Sequence, residues 1–439
     1  MKRLLRSIGP AIIVAAVVLG PGSILTSSKV GATFGLIGLP VVFGATLLMI
    51  AMVALSARLG AVYDDSLCDE LAKRLGRGVA VAIGLTLFTL VAFFQSSNNI
   101  ALVGGLEPMF GETPLPFVWR AALLIAVNLL VVGSLYLLKD LYSSVEWAMK
   151  ILIGLMTIAF LFNFLLIFWD PPEIVRNATS GSAAVAANNT RDYLALLGMI
   201  GTTFSVGGAF YQAYLVKEKG WGLGEVREGV TDSIISMTML GLVTAMILVT
   251  SYRVFYGRAE PVALSSVGDV ARQLEPLFGS AAKVIFCAGI LAGGLSSFLV
   301  NALIGGTVMA DSLGKGSKLE DKWPLHLTTV ALLVGMAVAI ASMAKEGSTV
   351  HLITLAQALT VLGIPALAAS LIYLGTRQEL TGERKVPRLI LAIAMIGFVV
   401  ACVLACLTAS KVYQKLSAKP VVVIMADGCS QVDALSSEC

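Results

Sequence analysis

Only 13% of the 439 residues are charged, 57% are hydrophobic, and the net charge is +4. A soluble globular chain carries about 25% charged residues, so these values exclude an ordinary water-soluble domain. The apolar residues also form long uncharged blocks, each close to the roughly 20 residues that a helix needs to cross the hydrocarbon core. We therefore predict an all-α membrane protein that sits in a lipid bilayer.

Eleven apolar segments are predicted to span the membrane. In chain order their cores cover residues 10–31, 37–57, 79–106, 117–138, 147–169, 193–216, 232–255, 281–309, 327–344, 350–375 and 388–410. Lys2, Arg3 and Arg6 precede the first segment, and its apolar run continues past any small-residue cleavage site. We therefore expect a first span rather than a cleaved signal peptide.

Lysines and arginines cluster in the even-numbered connections, which assigns these connections to the cytoplasm. The clustered residues are Arg58, Lys73, Arg74, Arg77, Lys139, Lys217, Lys219, Arg227, Lys315, Lys318, Lys322, Arg377, Arg384, Lys385 and Arg388. With eleven spans, the N-terminus is predicted in the cytoplasm and the C-terminus outside a plasma (inner) membrane. The predicted outside segments contain a sequon at Asn177 and two tail thiols, Cys429 and Cys439, which either pair or remain unpaired.

The reactive residues do not form a catalytic or metal-binding pattern. The six cysteines contain no CxxC motif, and His326 and His351 are the only histidines, which argues against a zinc site. The sequence contains no nucleophile–base constellation, so we do not expect an enzyme. We also predict no cofactor and no nucleic-acid partner.

Two spans carry helix-breaking residues near their middle: Gly20-Pro21-Gly22-Ser23 in the first and Ser205-Val206-Gly207-Gly208 in the sixth. Unwound backbone at membrane depth is tolerated where it lines a cavity or is buried in protein. Two breaks five spans apart indicate two five-helix halves related by an inverted repeat, with the substrate between the breaks. The expected units are residues 1–170, 171–376 and 377–439. A pair of packing kinks is the alternative explanation.

The polar groups near the breaks are uncharged. They are Ser23, Thr26, Ser27, Ser28, Thr202, Thr203 and Ser205. Half-helix N-termini expected near Ser23 and Gly208 point partial positive charge at the site, and C-termini expected near Gly20 and Ser205 point carbonyls at it. Such a site suits a neutral or zwitterionic solute or a monovalent cation, since a naked divalent cation normally requires carboxylates.

A second set of residues is a candidate cation or coupling site. Gln95 and Asn98 in the third span can form hydrogen bonds but cannot titrate, whereas proton relays usually need Asp, Glu or His. The hydroxyls of Ser296 and Ser297 either bind a cation against first-span carbonyls or bond their own helix. Lys29 either extends to the membrane interface or faces an outer vestibule as a fixed positive charge.

Several segments resemble one known family without gaps. Residues 20–26 are similar to the first-helix Asp-Pro-Gly-Asn signature of the Nramp (natural resistance-associated macrophage protein) family of proton-coupled divalent-metal transporters. Residues 57–60, 65–67, 198–216, 294–309 and 355–365 resemble further conserved segments of that family. The resemblance implies the five-plus-five inverted repeat of the amino-acid/polyamine/organocation transporters.

The functional residues of the family do not carry over to this sequence. By the resemblance, the metal-binding Asp, Asn and Met of the family fall on Gly20, Ser23 and Ser205. The sixth-helix Ala and His fall on Thr202 and Gly207. The third-helix acids fall near Gln95 and Asn98, and a tenth-helix Gln falls near Gly363. Pro21, Gly22, Ser296, Ser297 and Gln357 match the family. A carboxylate neutralises a dication and a thioether favours soft metals, so proton-coupled manganese or iron transport is not expected.

Three functions follow from these observations. The first is a secondary transporter of this family type that moves a metal cation through an atypical uncharged site. The second is a transporter of a small organic solute or a monovalent cation on the same fold. The third is a membrane receptor or sensor without transport, although the predicted loops are too short for a signalling domain.

Overall fold

The computed structural model describes residues 9–110, 115–138, 140–169, 193–256, 264, 267–344 and 348–417, and within these ranges it contains helices and no strands. In chain order the α-helices are α1 (Ala11–Val18), α2 (Pro21–Phe34), α3 (Gly38–Val62), α4 (Leu67–Leu75), α5 (Arg77–Phe110), α6 (Phe117–Leu137), α7 (Leu141–Trp169), α8 (Tyr193–Thr203), α9 (Val206–Glu218), α10 (Val226–Phe255), α11 (Val267–Ser312), α12 (Lys322–Met343), α13 (Ser348–Gly375) and α14 (Arg388–Ser417). Asn177, Cys429 and Cys439 lie outside the described residues.

The predicted spans coincide with the helices. The first span is the pair α1 and α2, the sixth is the pair α8 and α9, and each remaining span matches one long helix. Eight apolar helical segments within the described residues are long enough to cross a membrane, and 361–375 of α13 forms a shorter apolar helix. The prediction of an all-α membrane protein is confirmed.

Both helix breaks are present, about two residues before the predicted positions. The first lies at Leu19 and Gly20, and α2 begins at Pro21 rather than near Ser23. Proline is favoured at the first position of a helix because its fixed φ suits the turn and its missing N–H would have no helical partner there. In the sixth span α9 begins at Val206 rather than at Gly208.

Helix α4 occupies a segment that the sequence analysis treats as a basic connection. Ser66 caps its N-terminus by accepting a hydrogen bond from the backbone N–H of Asp69 at 3.2 Å. Leu67, Cys68 and Leu71 bury one face of this short helix. The helix has only 9 residues and a charged outer face, so the sequence does not predict it as a membrane span.

Helices α5 and α11 pack antiparallel along most of their length. A Cβ built on Gly105 would lie 2.8 Å from Ile290 Cγ2, and one built on Gly305 would lie 2.8 Å from Val91 Cγ1. Small residues let helix backbones approach closely in membranes. These two helices therefore form a rigid wall against which the broken spans pack.

Helix α1 is held at its N-terminus by a buried carboxylate on α10. Asp232 Oδ1 accepts a hydrogen bond from the backbone N–H of Gly9 at 2.7 Å, and Oδ2 accepts one from Ala11 at 2.8 Å. The negative charge lies where a helix exposes its unpaired N–H groups, which is a favourable position. The 8-residue half-helix is thus fixed at this end to a neighbouring span.

Candidate functional site

The C-terminal end of α1 meets α11 at Ser296. Its hydroxyl lies 2.9 Å from the carbonyl oxygen of Ala16 and 2.9 Å from that of Gly293. The sequence left open whether this hydroxyl faces first-span carbonyls or its own helix, and the structure places it between the two. One of the carbonyls released by the first break is therefore within hydrogen-bonding distance of a protein donor.

Gly20 and Ser297 lie in direct contact at the first break. A Cβ built on Gly20 would lie 2.5 Å from Ser297 Oγ and 2.7 Å from Ser297 Cβ. Such distances are far inside van der Waals contact, so α11 fills the space of a side chain at residue 20. At the position where the resemblance places the metal-binding Asp, the chain thus requires glycine.

Ser297 belongs to a buried network of amides and hydroxyls. Asn301 Nδ2 donates to Ser297 Oγ at 2.9 Å, and Ser297 Oγ donates to Asn98 Oδ1 at 3.4 Å. Asn98 Nδ2 donates to Gln95 Oε1 at 2.8 Å, and Gln95 Nε2 donates to the carbonyl of Phe298 at 2.7 Å. This chain of donors and acceptors connects α5 to α11, and none of its side chains can ionise.

Thr26 and Thr202 link the two broken spans on the other side of the breaks. Their hydroxyl oxygens are 3.4 Å apart. Each is also close to a carbonyl one turn back in its own helix, Gly22 O at 2.8 Å and Gly198 O at 2.9 Å. The predicted residue Thr202 thus lies where α8 approaches α2.

Several buried hydroxyls near the breaks have no hydrogen-bond partner among the described residues. They are those of Ser23, Ser27, Ser28 and Thr203. Ser23 lies in the first turn of α2 and is only 2% exposed. Since an unsatisfied buried polar group costs about 1–3 kcal/mol, these hydroxyls favour water or a bound ligand as the missing partner.

A cavity of about 50 Å³ lies beside the sixth break. A cavity needs roughly 10–15 Å³ to hold one water, so this one has room for a few waters or a small ion. Its polar side chains are Thr202, Ser205 and Asn301. The other lining residues are Val17, Val18, Leu87, Leu90, Val91, Phe94, Gly201, Val206, Gly207, Gly208, Ile304, Ile364 and Leu367.

The structure places the predicted residues Thr202, Ser205 and Gly207 in the lining of one cavity. Ser205 is the N-cap residue of α9 but its side chain makes no capping hydrogen bond. Asn301 was missed, although it lies one helical turn after Ser297 and the spacing of four residues puts both on one face. Within the described ranges, no group of three or more His, Cys, Asp or Glu is placed to hold a metal ion.

The other predicted site residues lie outside the cavity lining. Pro21 packs against α11, where a Cβ built on Gly294 would lie 3.6 Å from Pro21 Cγ. Gly363 faces α5, and a side chain there would overlap Leu90. Lys29 is half-buried on α2. Gly22 is buried in the first turn of α2, and the side chain of Gln357 in α13 lies outside the described residues.

Comparison with known proteins matches this architecture. The family model described as Nramp, natural resistance-associated macrophage protein-like, matches residues 11–410. The chain belongs to the Nramp family. Membership confirms the predicted inverted-repeat fold with broken spans 1 and 6, and it places the chain among membrane transporters rather than enzymes.

Curated Nramp relatives cover most of this chain. A protein of Acidiphilium cryptum named divalent metal cation transporter MntH is 24% identical over 401 residues, which are 89% of this chain and 86% of the relative. A protein of the same name from Yersinia pestis is 26% identical over 386 residues, 85% of this chain and 87% of the relative. These relatives align with most of this chain at low identity.

Solved Nramp structures have the same fold. The Eremococcus coleocola manganese transporter, solved with an aromatic bis-isothiourea substituted compound, superposes with a TM-score of 0.75 at 19% identity. The superposition covers 95% of this chain and 89% of the transporter. At this identity the similarity shows a shared fold only. It does not show which residues of this chain bind a substrate at the breaks.

Proposed function

We propose that this protein is a secondary-active transporter of the Nramp type that moves a metal cation through an uncharged site. The observation that carries the proposal is the cavity at the sixth break, lined by the hydroxyls of Thr202 and Ser205 and the amide of Asn301. Relatives that align with 85–89% of the chain are named as divalent metal cation transporters. The unpartnered Ser23 hydroxyl adds an oxygen at the other break.

An uncharged oxygen site suits a cation that keeps part of its hydration shell. Mg²⁺ loses water reluctantly and is often bound with several waters in place. Hydroxyls and an amide can then contact the waters rather than the ion itself. Soft transition metals gain less here, because the lining residues that the structure describes include no thioether, thiolate or imidazole.

We further propose that transport is not coupled to protons. Gln95 and Asn98 occupy the positions where the resemblance places titratable acids, and Gly207 occupies that of a histidine. The two amides are engaged with each other and with Phe298. A proton relay needs groups that ionise, and this network offers none.

A small organic solute or a monovalent cation is the second candidate cargo. The observation that favours it is the largely aliphatic lining, which includes Leu87, Val91, Ile304 and Leu367. An apolar pocket with a few convergent polar groups is typical of small-molecule sites. Four further predictions are part of the proposed function, whichever cargo is correct. They are the site residues, the plasma-membrane location, the cytoplasmic N-terminus, and the two halves 1–170 and 171–376.

A thermal-shift screen of the detergent-purified protein tests the cargo. The panel holds Mn²⁺, Mg²⁺, Ca²⁺, Na⁺, K⁺, amino acids and small amines, and a ligand at 100 times its Kd stabilises by about 2.7 kcal/mol. We expect saturable stabilisation by a divalent ion that weakens in Ser205→Ala. The matched control is Ser370→Ala, since the Ser370 hydroxyl is buried but bonds Ala366 in its own helix. A response to organic solutes or monovalent ions alone supports the second candidate.

A further inference from the structure

The barrier between the cavity and the predicted cytoplasmic face is thin. A bowl of about 940 Å³ opens on that face and is lined in part by Tyr63, Ser66 and Tyr214. Gly208 of α9 lines the cavity and Tyr214 of the same helix lines the bowl. At 1.5 Å per residue, these two points of α9 are about 9 Å apart along the helix axis.

A buried carboxylate of α11 closes this barrier. Asp311 Oδ2 accepts a hydrogen bond from the Tyr214 hydroxyl at 2.6 Å, and Oδ1 accepts one from the Ser66 hydroxyl at 2.6 Å. The backbone N–H of Cys68 donates to Oδ2 at 3.3 Å. Asp311 is 1% exposed. A single side chain therefore joins α9, α11 and the start of α4.

Two tyrosines fill the space above the carboxylate. Tyr211 and Tyr214 stack with ring centroids 5.8 Å apart and an interplanar angle of 20°. Both are nearly completely buried. The Tyr211 hydroxyl interacts with that of Thr307 on α11, so α9 and α11 share a second polar contact beside Asp311.

Of the elements that meet at Asp311, α9 is the one that a helix break separates from the rest of its span. Helix α11 is locked against α5 by close glycine contacts, and Arg77 of α5 donates to the backbone carbonyl of Asp311 at 3.2 Å. Helix α9 has only 13 residues and starts at a break in the sixth span. A tilt about that break changes few helical hydrogen bonds but separates Tyr214 from Asp311.

We propose that Tyr214, Asp311 and Ser66 form the inner gate of the transport pathway, and that the gate opens when the Tyr214–Asp311 hydrogen bond breaks. Asp311 is a positioning residue here, because it holds α9 against α11 and need not touch the cargo. When the gate opens, water from the bowl replaces the tyrosine as donor, so the carboxylate stays hydrogen-bonded. The gate rests on the proposed function in that it presumes transport through the cavity.

The reactivity of the Cys68 thiol is a direct measure of whether this gate is open. Its side chain is 0% exposed, and its sulfur lies 4.0 Å from the carbonyl oxygen of Val308. Burial, and next the nearby Asp311 carboxylate, raise the pKa of this thiol well above its ordinary value, which further slows its reaction while the gate is closed. Opening the gate admits water, and with it a thiol reagent.

The experiment measures N-ethylmaleimide modification of Cys68 in the full-length protein, resolved by mass spectrometry of the peptide. Tyr214→Phe and Asp311→Asn are expected to raise the modification rate about tenfold or more, as loss of a hydrogen bond to a charged group suggests. Tyr211→Phe is the matched control, because it removes a neighbouring tyrosine hydroxyl that does not contact Asp311. Its rate is expected to stay at the parent value.

The equally buried thiol of Cys287 distinguishes gating from unfolding. Faster modification of Cys68 with Cys287 still protected supports the gate. Unchanged Cys68 modification in both gate variants overturns it, and equal acceleration of Cys68 and Cys287 also overturns it, because general loosening then explains the result. The readout needs no cargo, so a protein that transports nothing but shows selective Cys68 exposure refutes the proposed function, while the opening between Tyr214 and Asp311 still stands.

Discussion

Ser297 on α11 occupies the space next to Gly20 in which any larger residue would place its side chain. The separation of 2.5 Å between Ser297 Oγ and a Cβ built on Gly20 leaves no room for a methyl group. The break in the first span and the packing of α11 are therefore matched to each other. A family-type carboxylate cannot be added to this site by one substitution.

This relationship predicts a compensating pair. Gly20→Ala should lower the free energy of unfolding by about 1–3 kcal/mol, since it overpacks a tight contact. Adding Ser297→Gly should recover part of that loss by removing the opposing side chain. Thermal unfolding of the two single variants and the double variant, analysed as a cycle, measures the coupling. Strictly additive effects would show that the two positions are not in contact.

The buried network predicts a strong effect of one isosteric change. Asn98→Asp removes the N–H donor to Gln95 Oε1 and leaves two acceptors facing each other in a buried site. The loss is expected to reach or exceed about 3 kcal/mol, because a buried charge without a partner is added. Chemical or thermal unfolding measures it. Asn163→Asp also adds a buried carboxylate, beside the Ala159 carbonyl of its own helix, so it measures the cost of the charge alone. A loss at Asn98 no larger than at Asn163 would contradict the network.

The cavity predicts a separation between ligand binding and stability. Thr202→Val keeps the side-chain volume but removes a hydroxyl that lines the cavity. The ligand-dependent thermal shift should fall, while the unliganded protein changes by no more than about 1 kcal/mol. Thr244→Val is the matched control, since the Thr244 hydroxyl is buried on α10 and bonds Leu240. A control that weakens the ligand response as much as Thr202→Val would argue against this cavity.

The anchor of α1 predicts a local effect on dynamics. Asp232→Ala leaves the N–H groups of Gly9 and Ala11 without their acceptor. Amide hydrogen exchange in 11–18 should rise selectively, because a helix end that loses its partners opens more often. Exchange in α12, which lacks contact with Asp232, serves as the internal reference. Unchanged exchange in α1 would show that other contacts hold it.

The sequence predicts the fold well because its signals are local. Apolar length gives the spans, and the glycines and Pro21 mark the two breaks. At the first break, the predicted start of α2 near Ser23 is two residues late. Pro21 is the first residue of α2 rather than part of the break, and a proline in a sequence is compatible with either position. Helix α4 escapes detection because its cap at Ser66 and its short apolar face are weak signals beside its charges.

The site is predicted only in part, because its geometry depends on packing between distant segments. Thr202, Ser205 and Gly207 follow from the sixth break alone. The contact of Gly20 with Ser297 and the hydrogen bonds of Ser297 with Asn98 and Asn301 join the first break, α5 and α11. No local sequence pattern specifies which helices meet. The sequence gives no signal for Asp311, since this residue ends an apolar span, where a charge normally faces solvent.

Ion flux into proteoliposomes with simultaneous detection of internal pH tests the central claim most directly. The purified protein is reconstituted, Mg²⁺ or Mn²⁺ is supplied outside, and a metal-sensitive and a pH-sensitive dye are trapped inside. We predict protein-dependent metal uptake without acidification, reduced in Ser205→Ala and unchanged in Ser370→Ala. Metal uptake with matching acidification would contradict transport without proton coupling. The absence of any metal uptake together with uptake of an organic solute would contradict the metal cargo.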